Sequence, residues 1–254
     1  MRGGGDMRIE DILFSQGFGT RRVCAGMVQQ GLVSVGGRTL DDPGERFELA
    51  GGLRFRVQGV DWDYHEKAYL MLHKPAGTEC SQKPSAWPSI YTLLPAPLRQ
   101  RPNKGAVQGV QAIGRLDQDT TGLLLLTDDG QFIHRMGSPR HHVPKVYEVR
   151  TRHPVTAAQV ERLLAGVVLD DDPKPVRAAA CTQSGPEQLE LTLTEGKYHQ
   201  VKRMVAAVGN RVEGLHRSRI GALALPPDLA PGAWRWLDAA EVDALRSPRA
   251  VSQG

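Results

Sequence analysis

The sequence predicts an α+β protein: a small N-terminal helix–hairpin module, then a larger domain on a mostly antiparallel sheet. Three observations point there. Many short apolar or alternating runs are interspersed with segments of helical periodicity. The 254 residues are enough for one large domain or two modest ones. And four leucines in a row, residues 123–126, are bounded by turn signals. That run reads as a buried strand, although periodicity alone leaves a buried helical turn open.

Composition narrows the class. At 40% hydrophobic the chain can bury a real core. No apolar run approaches the roughly 18 residues of a membrane span. The first six residues lack an apolar signal region, so a disordered lead-in and a cytoplasmic protein are expected. Cys24, Cys80 and Cys181 are isolated, which argues against a disulfide scaffold or a cysteine zinc site. Net charge is only +4, but it is uneven. Residues 131–152 carry five Lys/Arg against Glu148, and residues 197–219 carry six against Glu213, with five histidines among them. Two basic clusters around one candidate site favour a polyanionic partner, most simply nucleic acid, over solvated faces.

The elements follow in chain order. Residues 7–57 form the small module. Ile9, Ile12, Leu13 and Gln16 have helical spacing, with Gly17 past the end. Thr20 caps a second helix over 21–30, with Val23, Met27 and Val28 as its apolar stripe and Gly31 beyond it. Residues 32–35 read as a strand, Gly36-Gly37 as a tight turn, and a return strand follows. Arg21 and Arg22 fall in the first turn of helix two, where free N–H groups and the dipole favour an anion. Two cations there make sense if phosphate is the guest. Residues 58–67 read as a linker before a larger domain at 68–245, and 246–254 as a flexible tail.

Within the larger domain, residues 68–73 read as a strand running into Lys74-Pro75, with Lys74 structural or RNA-facing. Residues 81–110, rich in Pro, Gly, Gln and Ser, read as a long loop around a short apolar stretch at 90–94. Asp128 and Gln131 fit a capping box for a short helix through Met136, stopped by Gly137. Residues 138–142 form a basic loop. Residues 145–149 alternate as a half-buried strand with Lys145 and Tyr147 on one face. A helix over 156–165 is capped by Thr156 and Gln159. Strands are expected at 176–181 and 189–194. Val201, Met204, Val205 and Val208 mark a helix that carries Lys202 and Arg203 on its flank. Asp238 and Glu241 start a last helix.

The candidate site is the stretch AIGRLDQDTTGLLLLTDDG, residues 112–130. Asp117 sits two positions after Arg115 in a glycine- and threonine-rich turn ahead of the leucine run. Such a carboxylate suits a nucleophile, a metal ligand or a structural ion pair. A cluster of Asp117, Asp119, Asp128 and Asp129 is disfavoured, because the strand separates the two pairs by roughly 3.3 Å per residue. Spacing alone leaves a structural Arg115–Asp117 pair the commonest outcome.

Two resemblances extend this reading. The module RIEDILFSQGFGTRRVCAGMVQQGLVSVGGRTL resembles the S4 RNA-binding domain, although Gly36 stands where asparagine is usual and Glu10 where aspartate is commoner. It implies a docking module for structured RNA. GRLDQDTTGLLLLTDDG resembles the central motif of the RsuA-type ribosomal RNA pseudouridine synthases. HKPAG, SPRHHVPKVYEV and LTEGKYHQVKRMVAAVGNRV resemble that family's other motifs, in order. The resemblance covers residues 7–245 and implies an active-site cleft across the middle of the sheet. It implies that Asp117 is the catalytic nucleophile acting on a flipped-out uridine, and that Arg115 pairs with the aspartate or helps hold the substrate open. Tyr147 would stack on the target base and Lys202 pair with the aspartate, Arg203 being the alternative. Arg21, Arg22, Arg140, Lys145 and Arg203 are the expected RNA contacts. No cofactor and no metal are implied. The expected partner is ribosomal RNA or a partly assembled ribosomal subunit, and the expected state a monomer. SPRHH with GKYHQVKRM leans toward small-subunit (16S) rRNA. The alternatives are large-subunit (23S) rRNA, a catalytically inert S4-type ribosome-associated protein, and a metal-dependent nuclease.

Overall fold

The computed structural model describes residues 5–105 and 107–247. It divides into two compact units: the chain up to Ala68 together with Leu94–Gln111, and Tyr69–Leu93 together with the chain from Ala112 onward. Among the described residues, no helix is long and apolar enough to cross a membrane.

The first unit begins with a short strand, Asp6–Arg8, paired antiparallel with Arg46–Glu48. Asp6 was expected in the disordered lead-in; residues 1–4 of that lead-in lie outside the described residues. Helices Ile9–Ser15 and Arg21–Gln29 follow, and the Thr20 hydroxyl accepts the Val23 N–H as a cap. The second helix buries Cys24 and Val28, while Val23 is 52% exposed. The apolar stripe is therefore rotated from the expected one. Gly36 and Gly37, at φ 58° and 79°, make the turn between Val33–Val35 and Arg38–Thr39.

Two features correct the expected boundaries. Residues 58–67 are not simply a linker. Val60–Asp63 is the edge strand of a four-stranded sheet, and its Trp62 is buried, donating to Gln16 Oε1 at 3.3 Å. Nor is 81–110 one long loop. It holds a 3-10 turn at Ile90–Leu93 and a helix at Ala96–Gln100. The stretch from Leu94 packs with the first unit because Arg101, 1% exposed, hydrogen-bonds Gln16 Oε1 and the carbonyls of His65 and Glu66.

The second unit is built on a mostly antiparallel sheet. Its order is Ala180–Gly185, Gln188–Leu193, Lys145–Thr151, Val212–Ile220, Thr121–Thr127, Tyr69–Lys74 and Trp234–Trp236. The expected strand at 176–181 is really two: Val176 ends the Asp172–Val176 strand, and Cys181 belongs to the next. Thr121–Thr127 and Val212–Ile220 are joined in parallel, His216 facing Thr121 and Arg217 facing Gly122. Leu123–Leu126 lie in the strand interior, each at most 1% exposed. Burying a leucine stabilises by about 1.5–3 kcal/mol, so this strand is a rigid base for the loop before it. Helices Ala157–Ala165 and Gln200–Ala207 belong to one part of the unit. There Leu163, Val201, Met204 and Val205 share a core with Val149, Leu189 and Leu191. Helices Gly130–Gly137 and Ala239–Arg246 bury Phe132, Met136, Val242 and Leu245 in a second core with Met71, Leu123 and Leu125.

The cap of the Gly130 helix is Asp129, one residue later than expected. It accepts from the N–H groups of Gln131 and Phe132. It also accepts from Tyr69 Oη at 2.5 Å and pairs with Arg246 at 3.3 Å. Arg246 is thus the end of the last helix and not the start of a tail; residues 248–254 lie outside the described residues. Burial works against the Asp129 charge, but these donors outweigh it and hold its pKa below the ordinary carboxylate value. Asp129→Ala is expected to cost about 3 kcal/mol in urea unfolding, from a lost cap and lost charge-assisted bonds. The sign in pH follows from the depressed pKa. The contribution is present above about pH 4 and is lost as pH falls through the folded-state value. Wild type and variant should therefore converge in acid; a constant difference down to pH 2 would contradict this.

Candidate active site

Asp117 lies in the loop that feeds the Thr121–Thr127 strand. The loop closes as a turn, the Thr120 N–H donating to the Asp117 carbonyl at 3.0 Å. HKPAG holds it from below. Lys74 is fully buried, and its ammonium donates to the carbonyls of Pro75, Gln118 and Thr120 at 3.0, 3.2 and 2.9 Å. The Gly77 N–H also donates to Gln118 at 2.8 Å. Lys74 is therefore structural, and burial lowers its pKa. On the other side, Gly122 has φ 116°, and a Cβ there would stand 2.2 Å from the Arg217 carbonyl oxygen. Only glycine lets the two parallel strands approach this closely.

The segment GKYHQVKRM supplies Asp117 with its partners. Its helix begins at Gln200, whose side chain accepts from the Lys197 N–H and donates to Glu195, fixing the turn before it. His199 and Lys202 are three apart and both reach Asp117. His199 Nε2 lies 3.1 Å from Oδ1, and Lys202 Nζ lies 3.1 Å from Oδ2. Lys202 also binds Asp119 at 2.9 Å. Burial opposes the Lys202 charge, but hydrogen bonds and charge from Asp119 and Asp117 raise its pKa. The Lys202 hydrogen bond in turn lowers the Asp119 pKa. His199 holds the left-handed conformation, φ 47° and ψ 37°, unusual for a residue with a side chain and frequent at functional sites.

Asp117, Lys202, His199, Tyr147, Thr120 and Arg115 line one pocket of about 80 Å³. The structure thus gathers Asp117, Tyr147, Lys202 and Arg115, as the sequence predicted. Tyr147 projects from the Lys145–Thr151 strand and is 9% exposed. The Arg115–Asp117 ion pair left open by spacing is not the one formed; Asp117 pairs with Lys202 and His199, and Arg115 is an exposed wall of the pocket. Asp119 shares Lys202, whereas Asp128 and Asp129 lie at the opposite end of the leucine strand.

Much of the second basic cluster is neutralised within the unit. Lys197 pairs with Asp172, Arg203 with Asp171, and Lys202 with the site aspartates. Arg217, 3% exposed, donates from Nε to the Leu123 carbonyl. Of the expected RNA contacts, Arg140 is exposed on the turn Pro139–His141. Lys145 is half-buried, and burial and Arg217 lower its pKa. In the first unit Arg22 is exposed, while Arg21 pairs with Asp11 at 2.6 Å and lies over the Phe14 ring.

His199 is the site residue that sequence reasoning missed. Nothing in its spacing distinguishes it from a surface histidine, and only the left-handed turn before the helix aims it at Asp117.

Residues 68–207 match the family model for RNA pseudouridylate synthase, and residues 7–51 match the S4 domain. The chain is 38% identical over 248 residues to an uncharacterised RNA pseudouridine synthase, YtzG, of Bacillus subtilis, covering 96% of this chain and all of that one. It is 44% identical over 178 residues to ribosomal small subunit pseudouridine synthase A of Escherichia coli K12, covering 70% of this chain and 74% of that one. A crystal structure of a pseudouridylate synthase superposes with a TM-score of 0.64 at 33% identity, covering 94% of this chain and 99% of that chain.

Proposed function

Since this chain belongs to the RNA pseudouridylate synthase family, with an S4 domain ahead of the catalytic domain, we propose that it converts one uridine of small-subunit ribosomal RNA to pseudouridine, with Asp117 as nucleophile. The observation that carries the assignment is the placement of Asp117. Its carboxylate stands on a rigid loop in a pocket with an aromatic ring, and Lys202 is 3.1 Å away.

The reaction exchanges one bond for another. The N1–C1′ bond breaks, the uracil turns, and a C5–C1′ bond forms; C5 loses a proton and N1 gains one. No electron is gained or lost overall. A carboxylate nucleophile divides this exchange into easier steps. Lys202 holds Asp117 oriented, and its shared bond to Asp119 keeps the ammonium in place while the aspartate reacts. Tyr147 offers an aromatic wall for a base taken out of its helix, where stacking replaces what flipping loses. Arg115, exposed at the rim, holds the opened nucleotide.

The substrate test is tritium release from transcripts labelled at uridine C5. Release from small-subunit transcript and not from large-subunit transcript is the expected result. Release from large-subunit transcript alone would move the target, and release neither from the transcripts nor from partly assembled subunits would contradict the proposed activity on ribosomal RNA.

The S4 domain docks RNA through the first turn of its second helix. Arg22 is the freer contact, because Arg21 already faces Asp11. Replacing both with alanine should weaken transcript binding and lower the slope of log K against log salt by about one to two. An unchanged slope would mean that these arginines hold no phosphate.

A further inference from the structure

Tyr198 stands beside the site, against His199, and it is 76% exposed. Its ring is stacked on His199, with centroids 3.8 Å apart and planes 19° from parallel. His199 in turn touches Asp117. The position is held rather than loose. Arg203 donates to the Tyr198 carbonyl at 3.0 Å and is itself paired with Asp171. One face of the ring is therefore covered by the imidazole, and the ring stands open to solvent with His199 between it and the Asp117 carboxylate.

A rigid, open aromatic ring suits a flat ligand. A protein partner needs a contiguous apolar patch, but the residues flanking Tyr198 in the chain are Glu195, Gly196, Lys197, His199 and Gln200, and it contacts His199 and Arg203. A nucleobase needs only one ring to stack on, and every base has the π-face to do so. An RNA chain with its target uridine at Asp117 must also carry the next nucleotide close to this ring. We propose that Tyr198 is a stacking platform for the unpaired base adjoining the target uridine, extending an aromatic column that begins at His199. This rests on the reading that RNA uridine is the substrate at Asp117.

The test compares Tyr198→Phe, Tyr198→Trp, Tyr198→Leu and Tyr198→Ala in the full chain, on small-subunit rRNA transcript. Phenylalanine and tryptophan should keep the wild-type KM. Leucine and alanine should raise it about ten-fold, with kcat changed far less, since a stack made equally in ground and transition states is uniform binding. Transcript affinity by filter binding, measured with Asp117→Asn added to each variant, should follow the same order without any turnover. Leucine equal to phenylalanine in both measurements would overturn the proposal, because bulk and not the π-face would then be what matters. Phenylalanine as poor as alanine would overturn it in favour of the hydroxyl. If wild type releases no tritium, the reading of Asp117 fails by itself, and the binding order of phenylalanine against leucine still decides whether Tyr198 stacks on RNA.

Discussion

Asp117→Asn is expected to lower the rate of pseudouridine formation by at least about a thousand-fold, as removal of a nucleophile does, while transcript affinity stays within a few-fold. The substitution keeps the shape of the side chain and a carbonyl oxygen for Lys202. It does not strand the ammonium, because Lys202 keeps Asp119 at 2.9 Å. The loop keeps its supports, which are backbone carbonyls held by Lys74 and not the Asp117 side chain. Loss of activity would then report on chemistry and not on folding. Single-turnover tritium release with excess enzyme measures it. Activity within ten-fold of wild type would mean that the carboxylate only orients Lys202 and His199.

Gly122→Ala is expected to destabilise the second unit by about 3 kcal/mol or more. Two effects add: a positive φ that side chains avoid, and a Cβ placed 2.2 Å from the Arg217 carbonyl. The strand cannot move aside easily, because Gly122 is also opposite Lys74 on its other neighbour. Gly114→Ala separates the two effects. Gly114 has φ 71° but open space around its would-be Cβ, so its substitution should cost about 1 kcal/mol from backbone conformation alone. Urea midpoints of the two variants check this. Equal costs would mean that the parallel strands can separate without penalty.

The parts of the fold legible in the sequence are those governed by local rules. Thr20, Thr156 and Asp238 cap the helices they were expected to cap, and Gly36-Gly37 turns its hairpin. The leucine run is a buried strand, as its length and bounding turn residues suggested, although leucine alone would equally suit a helix; pairing with a strand on either side decides it. Strand Val212–Ile220 was invisible despite its central place. Its sequence, VEGLHRSRI, looks like surface because Arg217 is buried through a single bond to a backbone carbonyl. The basic clusters pointed to an RNA partner, as the family bears out, but they overstated the unpaired charge: sequence counts cations, and the acids that pair with Lys197 and Arg203 lie 25 and 32 positions away. The 58–67 boundary failed because Trp62 fills the first unit's core from a stretch too polar to read as a strand. At the site, Asp117, Tyr147 and Lys202 came from motif resemblance, and the His199 contact depends on one left-handed residue that no periodicity reports.

Asp117 is proposed to make this chain a pseudouridine synthase for one ribosomal position. Pseudouridine mapping of ribosomal RNA tests it most directly, in a strain lacking the protein and in the same strain supplied with wild type or with Asp117→Asn. One small-subunit position is expected to lose pseudouridine, to regain it with wild type, and to stay uridine with the variant. Restoration by Asp117→Asn, or no position lost at all, would contradict it.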